Sequence, residues 1–442
     1  MKQNLSMNLL IRLQKLDFSL DEVVLEFEEV FKAKGLPGIL EVILEYIDSL
    51  LIHNIEGVVI PKQKRECCAC DKWHLHGRTS KTVKTGIGKL KLSLNRMRCS
   101  SCNTTHSPFN IFFGLNRSIN FTNELQKKCC ETVLEQSYRR SARSLNLIGK
   151  LGLNKNEVHR IVNLCDLDFQ NITNLKDINS LMADGTGYKP HFEDQKGELK
   201  IVIGLNSLNR PVPIGAWIMK GWKAIGNEIK KANSPTNKKL AFKPIANVLI
   251  TDGEIALIKG LKDLAYHEQR CQWHFIRDFK NAYVYQESGS KTQCRELQNI
   301  IGTAINNCMD TLEKKTKEDL IKTIAESEIK LQELEAHLKR DKFLKSAVYV
   351  RNAREELFTH LKYILTTGEE VYRTTSVIER LMREFARRFK RIAHNWSEAG
   401  AEKLGRMLLR YTLDKIGWEK VWKEKIIITG NFKLVLSDAY PT

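Results

Sequence analysis

A chain of 442 residues is too long for one hydrophobic core, since single cores rarely outgrow about 250–300 residues, so at least two domains are expected. Its 42% hydrophobic and 28% charged content fits a folded protein, and no apolar run approaches the ~20 residues of a membrane helix. Lys and Arg outnumber Asp and Glu by 71 to 52, a net +19 that favours a polyanionic partner over a basic excess that serves solubility alone.

Residues 1–56 read as short helices, with apolar positions at Leu13, Leu16, Phe18, Val24, Phe27, Val30 and Phe31, and a break at Gly35, Pro37 and Gly38. The first ten residues are polar and not signal-like, so the cytoplasm or nucleoid is the expected compartment. In that reducing setting the paired Cys-x-x-Cys spacings among the 11 cysteines read as metal ligands rather than staples. Residues 57–117 turn basic and strand-like, with 12 Lys and Arg against Glu66 and Asp71 between Val58 and Ser118. Within them Cys67-x-x-Cys70 and Cys99-x-x-Cys102 offer four thiolates to one tetrahedral Zn²⁺, the pattern of a zinc ribbon whose hairpin includes Lys89–Leu94. Cys68 is read as a non-ligand, and His74, His76 and His106 as surplus histidines. Metal here would supply folding energy.

Residues 118–172 return to helix. Ser137–Lys150 and Lys155–Leu164 flank the turn Leu151–Asn154, and Asn154 with Glu157 three residues on has the form of a capping box. The spacing suits a DNA-binding helix-turn-helix, with Arg139, Arg140 and Arg143 meeting phosphates; an ordinary helical hairpin with a solvated basic face is the plainer alternative.

From residue 173 the chain becomes strand-rich, at Leu181–Ala183, Lys200–Gly204, Val212–Trp217 and Val248–Thr251, and residues 286–372 are helical. Asp184 and Asp252 each end an apolar run, so both read as acids at strand C-termini, with a glycine beside them that leaves room for a metal or a backbone to approach. Three strands, a helix and a further strand fit an RNase H-like mixed sheet, giving an α/β multidomain fold with a helical insertion. A third carboxylate is expected from a later helix. There Glu379 borders the apolar stripe Ile378, Leu381, Met382, Phe385, Phe389 and Ile392, with Arg383, Arg387 and Lys390 along its side. Glu254 is its chief competitor, and Glu193 and Asp194 read as a solvated turn. Such acids could hold the two divalent cations of phosphodiester chemistry, while Glu379 taken alone also suits a surface ion pair.

Taken in order, Asp184 in ADGTGY, Asp252 in ITDGE, Cys271-Gln272-Trp273-His274 and Glu379 in VIERLMREFARRF, with Trp396, Ser397 and Gly400 beyond, resemble bacterial insertion-sequence DDE transposases allied to the Mutator-like superfamily. The resemblance spans roughly residues 60–410. It implies Mg²⁺ or Mn²⁺ held by Asp184, Asp252 and Glu379, cutting at terminal inverted repeats, joining of 3′-hydroxyls to target DNA, and at least a homodimer on double-stranded DNA. Cys271 and His274 match that superfamily's Cys-x-x-His signature and are expected to support the site. Two lone ligands make no second zinc centre, and Trp273 reads as a core residue or a stacking platform. Rival readings are a non-catalytic, domesticated DNA-binding regulator and an RNA-guided nuclease, although in the latter the ribbon lies near the last acids.

Overall fold

The structure is a computed structural model that describes residue 25 and residues 28–53, 73–115, 119–190, 197–235, 241–392 and 396–426. Two units make up the chain, Met1–Cys165 and Asp166–Thr442. Helices and two sheets make it an α/β protein, and among the described residues no helix is long and apolar enough to cross a membrane.

In the first unit the helix does not break at Gly35, Pro37 and Gly38. A π-turn over Phe31–Gly35 leads directly into α1 (Leu36–His53), with the Leu36 N–H donating to the Phe31 carbonyl. The wider turn falls where Pro37 has no N–H to give, and so the helix absorbs the proline. A hairpin follows, β1 (Trp73–Thr85) with β2 (Gly88–Cys99), in register from Trp73–Cys99 to Thr85–Gly88 apart from one bulge at Leu75–Arg78. Gly77 sits in that bulge with φ +81°, a conformation glycine adopts at no steric cost. Val83, Leu90, Leu92 and Leu94 pack against Leu40, Leu44 and Leu51 of α1. On the same helix Glu41, Glu45 and Asp48 accept hydrogen bonds from the backbone N–H groups of Lys91, Ser93 and Asn95, the last two at 2.8 Å. The short β3 (Thr105–His106) pairs with the far end of β2, and α2 (Pro108–Phe112) follows it.

Three helices complete the unit, α3 (Asn123–Glu135), α4 (Tyr138–Gly149) and α5 (Lys155–Asn163). Lys150 ends α4 in the left-handed conformation, and the Asn146 side chain clamps the turn by bonding both the N–H and the carbonyl of Leu153, at 2.8 and 2.7 Å. The capping box forms as Asn154 and Glu157 satisfy each other's backbone N–H groups.

The second unit is built on a five-stranded sheet: β4 (Ile178–Tyr188), β5 (Gly197–Asn206), β6 (Pro211–Ile218), β7 (Ala246–Thr251) and β8 (Ala265–Arg270). Their spatial order is β6-β5-β4-β7-β8, antiparallel through β4–β5–β6 and parallel through β4–β7–β8. Leu181, Ala183, Val202 and Leu249 pack on α6 (Trp222–Ala232) and α7 (Ile255–Leu261). The opposite face is covered by α13 (Ser376–Ala386) on β4 and α14 (Glu398–Leu413) on β5 and β6.

After β8 come α8 (Gln272–Lys280) and a π-turn over Asn281–Gln286, then α9 (Lys291–Lys314), α10 (Lys317–Arg340), α11 (Leu344–Arg354) and α12 (Thr359–Thr367). These helices share their own core around Phe275, Phe279, Ile301, Leu331 and Phe358. Buried amides help fix their return to the sheet, Gln272 among them, which donates to the Leu357 carbonyl at 3.0 Å. Gln269 on β8 donates to the Leu357 carbonyl at 2.9 Å and accepts from the His360 N–H at 2.7 Å. The chain then reaches α13, and α15 (Lys415–Ile426) ends the described residues.

Candidate active site

Asp184 and Asp252 stand side by side because of strand register. β4 and β7 pair in parallel from Ile178–Ala246 to Met182–Ile250 with a constant offset, so two residues further on Asp184 meets Asp252. Neighbouring strands lie about 4.8 Å apart, which brings the two backbones together where β7 ends. Strand alternation then sets the direction. Leu181, Ala183 and Leu249 face α6 and α7, so Asp184 and Asp252 share the face that α13 covers. Asp184 is not at a strand end as its apolar run suggested, for β4 continues to Tyr188 on its pairing with β5 after β7 has stopped.

Glu379 lies in the first turn of α13, whose buried Ile378, Leu381, Met382 and Phe385 anchor the helix beneath it. Asp184 is close enough to both other acids to feel their charge. Burial pushes the Asp184 carboxyl up to about 6, and the charges of Asp252 and Glu379 add to that shift, while the Gly185 N–H, 2.7 Å away, and His274 oppose it. Asp252 accepts from the Glu254 N–H at 2.9 Å. Glu254 itself turns to the Trp222 indole, 3.1 Å away, and its carboxyl is raised first by burial and then by Asp252.

Gly253 has a different use from the one its place beside Asp252 suggests. At φ +92° its α-carbon is covered by the Arg270 guanidinium, and an added Cβ would stand 0.4 Å from Arg270 Nη1. The space is taken by an arginine rather than kept for a metal. Arg270 is 8% exposed and stacks over Tyr349 at 5.6 Å.

Cys271 and His274 press against Glu379 through Thr375, a residue with no signal in the sequence beyond its place just ahead of α13. The Thr375 hydroxyl donates to Glu379 Oε1 at 2.7 Å and lies 3.1 Å from His274 Nδ1 and 3.4 Å from Cys271 Sγ. A threonine at a helix start ordinarily caps a backbone N–H; here the hydroxyl makes no such bond and holds the carboxylate instead. His274 Nδ1 is 3.3 Å from Cys271 Sγ and 3.6 Å from Glu379. Burial opposes ionisation of Cys271, but its bonds to His274 and Thr375 outweigh burial and hold the thiol below its usual value. Burial likewise works against a charge on His274, and Cys271 and Glu379 overcome it, raising the imidazole. Among the described residues, Cys271, His274 and Glu379 are the one group whose donor atoms all lie within 4.8 Å of each other. Those three could hold one metal ion, so Glu379 stands as a third donor beside the pair that the sequence left as two lone ligands, whereas Asp184, Asp252 and Glu379 do not all lie within that distance of one another.

The remaining expected residues lie in the first unit. Arg139, Arg140 and Arg143 are exposed on α4. Cys99 is buried at the end of β2 and Cys102 is exposed just beyond it, while Cys67 and Cys70 lie outside the described residues, as do Glu193 and Asp194. Comparison of the sequence with protein-family models and with curated proteins finds no match to either.

Proposed function

We propose that this chain is a DDE-type DNA transposase that cuts and joins phosphodiesters at the carboxylates of Asp184, Asp252 and Glu379. The observation that carries the reading is that Asp184 feels the charges of both other acids: Asp252 follows directly on β7, which pairs in parallel with β4, and α13, which packs on β4, carries Glu379. The strand order β6-β5-β4-β7-β8, with only the first three antiparallel, is the order expected of an RNase H-like core and supports the same reading. The donor set also fits divalent cations, since burial, with the charges of Asp252 and Glu379 adding to it, raises Asp184, and bound positive charge would relieve that cost.

Bound Mg²⁺ or Mn²⁺ would supply Lewis-acid chemistry, activating the attacking oxygen and stabilising the leaving one. Asp184 and Asp252, fixed by the sheet, would hold the cations against a rigid wall. Glu379 would close the set from α13, its carboxylate aimed by Thr375 and His274. Water attacks phosphorus in the first step, releasing a 3′-hydroxyl; that hydroxyl attacks a target phosphate in the second, displacing another 3′-oxygen. The exposed arginines of α4, and a zinc ribbon completed by Cys67, Cys70, Cys99 and Cys102, would recognise the DNA ends. A two-ended substrate would call for at least two copies of the chain.

Nicking of supercoiled DNA by the purified chain tests this. Wild type should nick in Mg²⁺ or Mn²⁺ and stop in EDTA, and Asp252→Asn should lose about a thousandfold or more while still binding DNA, since it keeps the shape and removes a charge. DNA binding with no cutting in any divalent cation would leave the regulator reading in its place.

A further inference from the structure

Of the seven tryptophans, Trp273 alone is exposed, at 49%, and its ring lies 4.9 Å from that of His274, whose Nδ1 is 3.6 Å from Glu379. An exposed tryptophan beside a polar centre is a large apolar surface left in water, and its surroundings show what it suits. The Arg277 guanidinium lies over its ring at 4.5 Å, one helical turn on, and is itself pinned by a two-pronged bond to Asp278 at 2.6 and 2.9 Å. Lys280, further along the same exposed side of α8, lies 5.5 Å over the ring of Tyr285, which is 66% exposed. Aromatic, cation, cation and aromatic therefore follow one another along α8 and the turn after it. Trp273 and Lys280 are about 10 Å apart along the helix axis, close to the rise of three stacked bases.

We infer that α8 and the turn after it form a track for single-stranded DNA, on which unpaired bases next to the cut stack on Trp273 and Tyr285 while Arg277 and Lys280 meet the phosphates. Duplex DNA keeps its base faces covered, so the rings favour a strand that has opened. Rings accept any base, because every base has a π-face, and the track is indifferent to sequence. The inference rests on the acid cluster being a DNA-cutting centre, since that is what would place an opened strand beside Trp273.

The test uses the full chain without divalent cation, so binding is read apart from cutting. A short single-stranded oligonucleotide carrying 5-iodouracil should photocross-link to Trp273 or Tyr285, as mapped by mass spectrometry. Trp273→Ala and Tyr285→Ala should each weaken binding of that oligonucleotide roughly tenfold, with duplex binding nearly unchanged and Trp273→Phe close to wild type. Cross-links confined to the first unit, or a double alanine variant that binds the single strand like wild type, would overturn the track. If the track behaves as expected and the wild-type chain cuts no DNA in Mg²⁺ or Mn²⁺, the binding site stands and only the catalytic reading falls.

Discussion

At Asp184, burial and the charges of Asp252 and Glu379 keep the carboxyl protonated up to about pH 6, against an ordinary value of 3.8. The folded state thus holds this proton more tightly than the unfolded state. In the cation-free protein the resulting stability is complete below about pH 4, is lost as pH rises from 4 to 6, and is gone above 6. Asp184→Asn should therefore raise the melting temperature of EDTA-treated protein at pH 8, by an amount worth about 1–3 kcal/mol, and much less at pH 4. Equal melting at pH 8 would mean the site carries no such strain. Protons compete for the same oxygens, so divalent-cation affinity should weaken below about pH 6. Thr375 is the second residue to try. Thr375→Val removes the hydroxyl shared by Glu379, His274 and Cys271, and should weaken Mn²⁺ binding about 10- to 100-fold, as loss of an orienting bond does at metal sites. Thr375→Ser should restore it; a serine variant as weak as the valine would point to packing instead.

Among the elements, legibility followed side-chain chemistry. Strands β4, β5, β6 and β7 carry buried apolar residues and are visible in the sequence, and so are the helices between β8 and α13. The capping box at Asn154 and Glu157 is visible too, because both partners are local. β8 is not, since AYHEQR has no apolar alternation; the strand is held by backbone pairing to β7 and by the Gln269 amide, both long-range. The continuity through Pro37 depends on a π-turn that no residue type announces. Asp184, Asp252 and Glu379 could be picked out beside their apolar runs, and Cys271 and His274 through the family resemblance, whereas Thr375 could not, because a single hydroxyl has no pattern of its own. The turn after β7 shows the same limit: its glycine is legible, but the arginine over it is not. Gly253→Ala should cost about 2–4 kcal/mol in chemical denaturation, from the strained φ and the displaced guanidinium together; a cost under ~1 kcal/mol would show that Arg270 swings away freely.

For the whole molecule, the net +19 is not spread evenly, and the stretch from Val58 to Ser118 holds about half of it. That distribution is a statement about salt. If α4 meets phosphates, replacing Arg139, Arg140 and Arg143 by alanine in the full chain should flatten the slope of log affinity against log salt by about 0.9 for each phosphate no longer neutralised. A slope that does not move would assign the charge to a general basic surface. The metal content is a separate measurement. About one Zn²⁺ per chain is expected, released when Cys67 or Cys99 is replaced by serine and retained when Cys68 is. No zinc in freshly purified protein would remove the ribbon.

The carboxylates of α1 have a consequence for life at high concentration. Lys91, Ser93 and Asn95 present their N–H groups along the margin of a twelve-residue strand, the kind of row on which a stranger's backbone can settle to make a shared sheet. Glu41, Glu45 and Asp48 fill that row with side chains, which bond as a strand would and yet offer nothing to continue it. Along these residues the helix thus closes the strand's margin chemically, so that crowded copies of the chain do not zip edge to edge there.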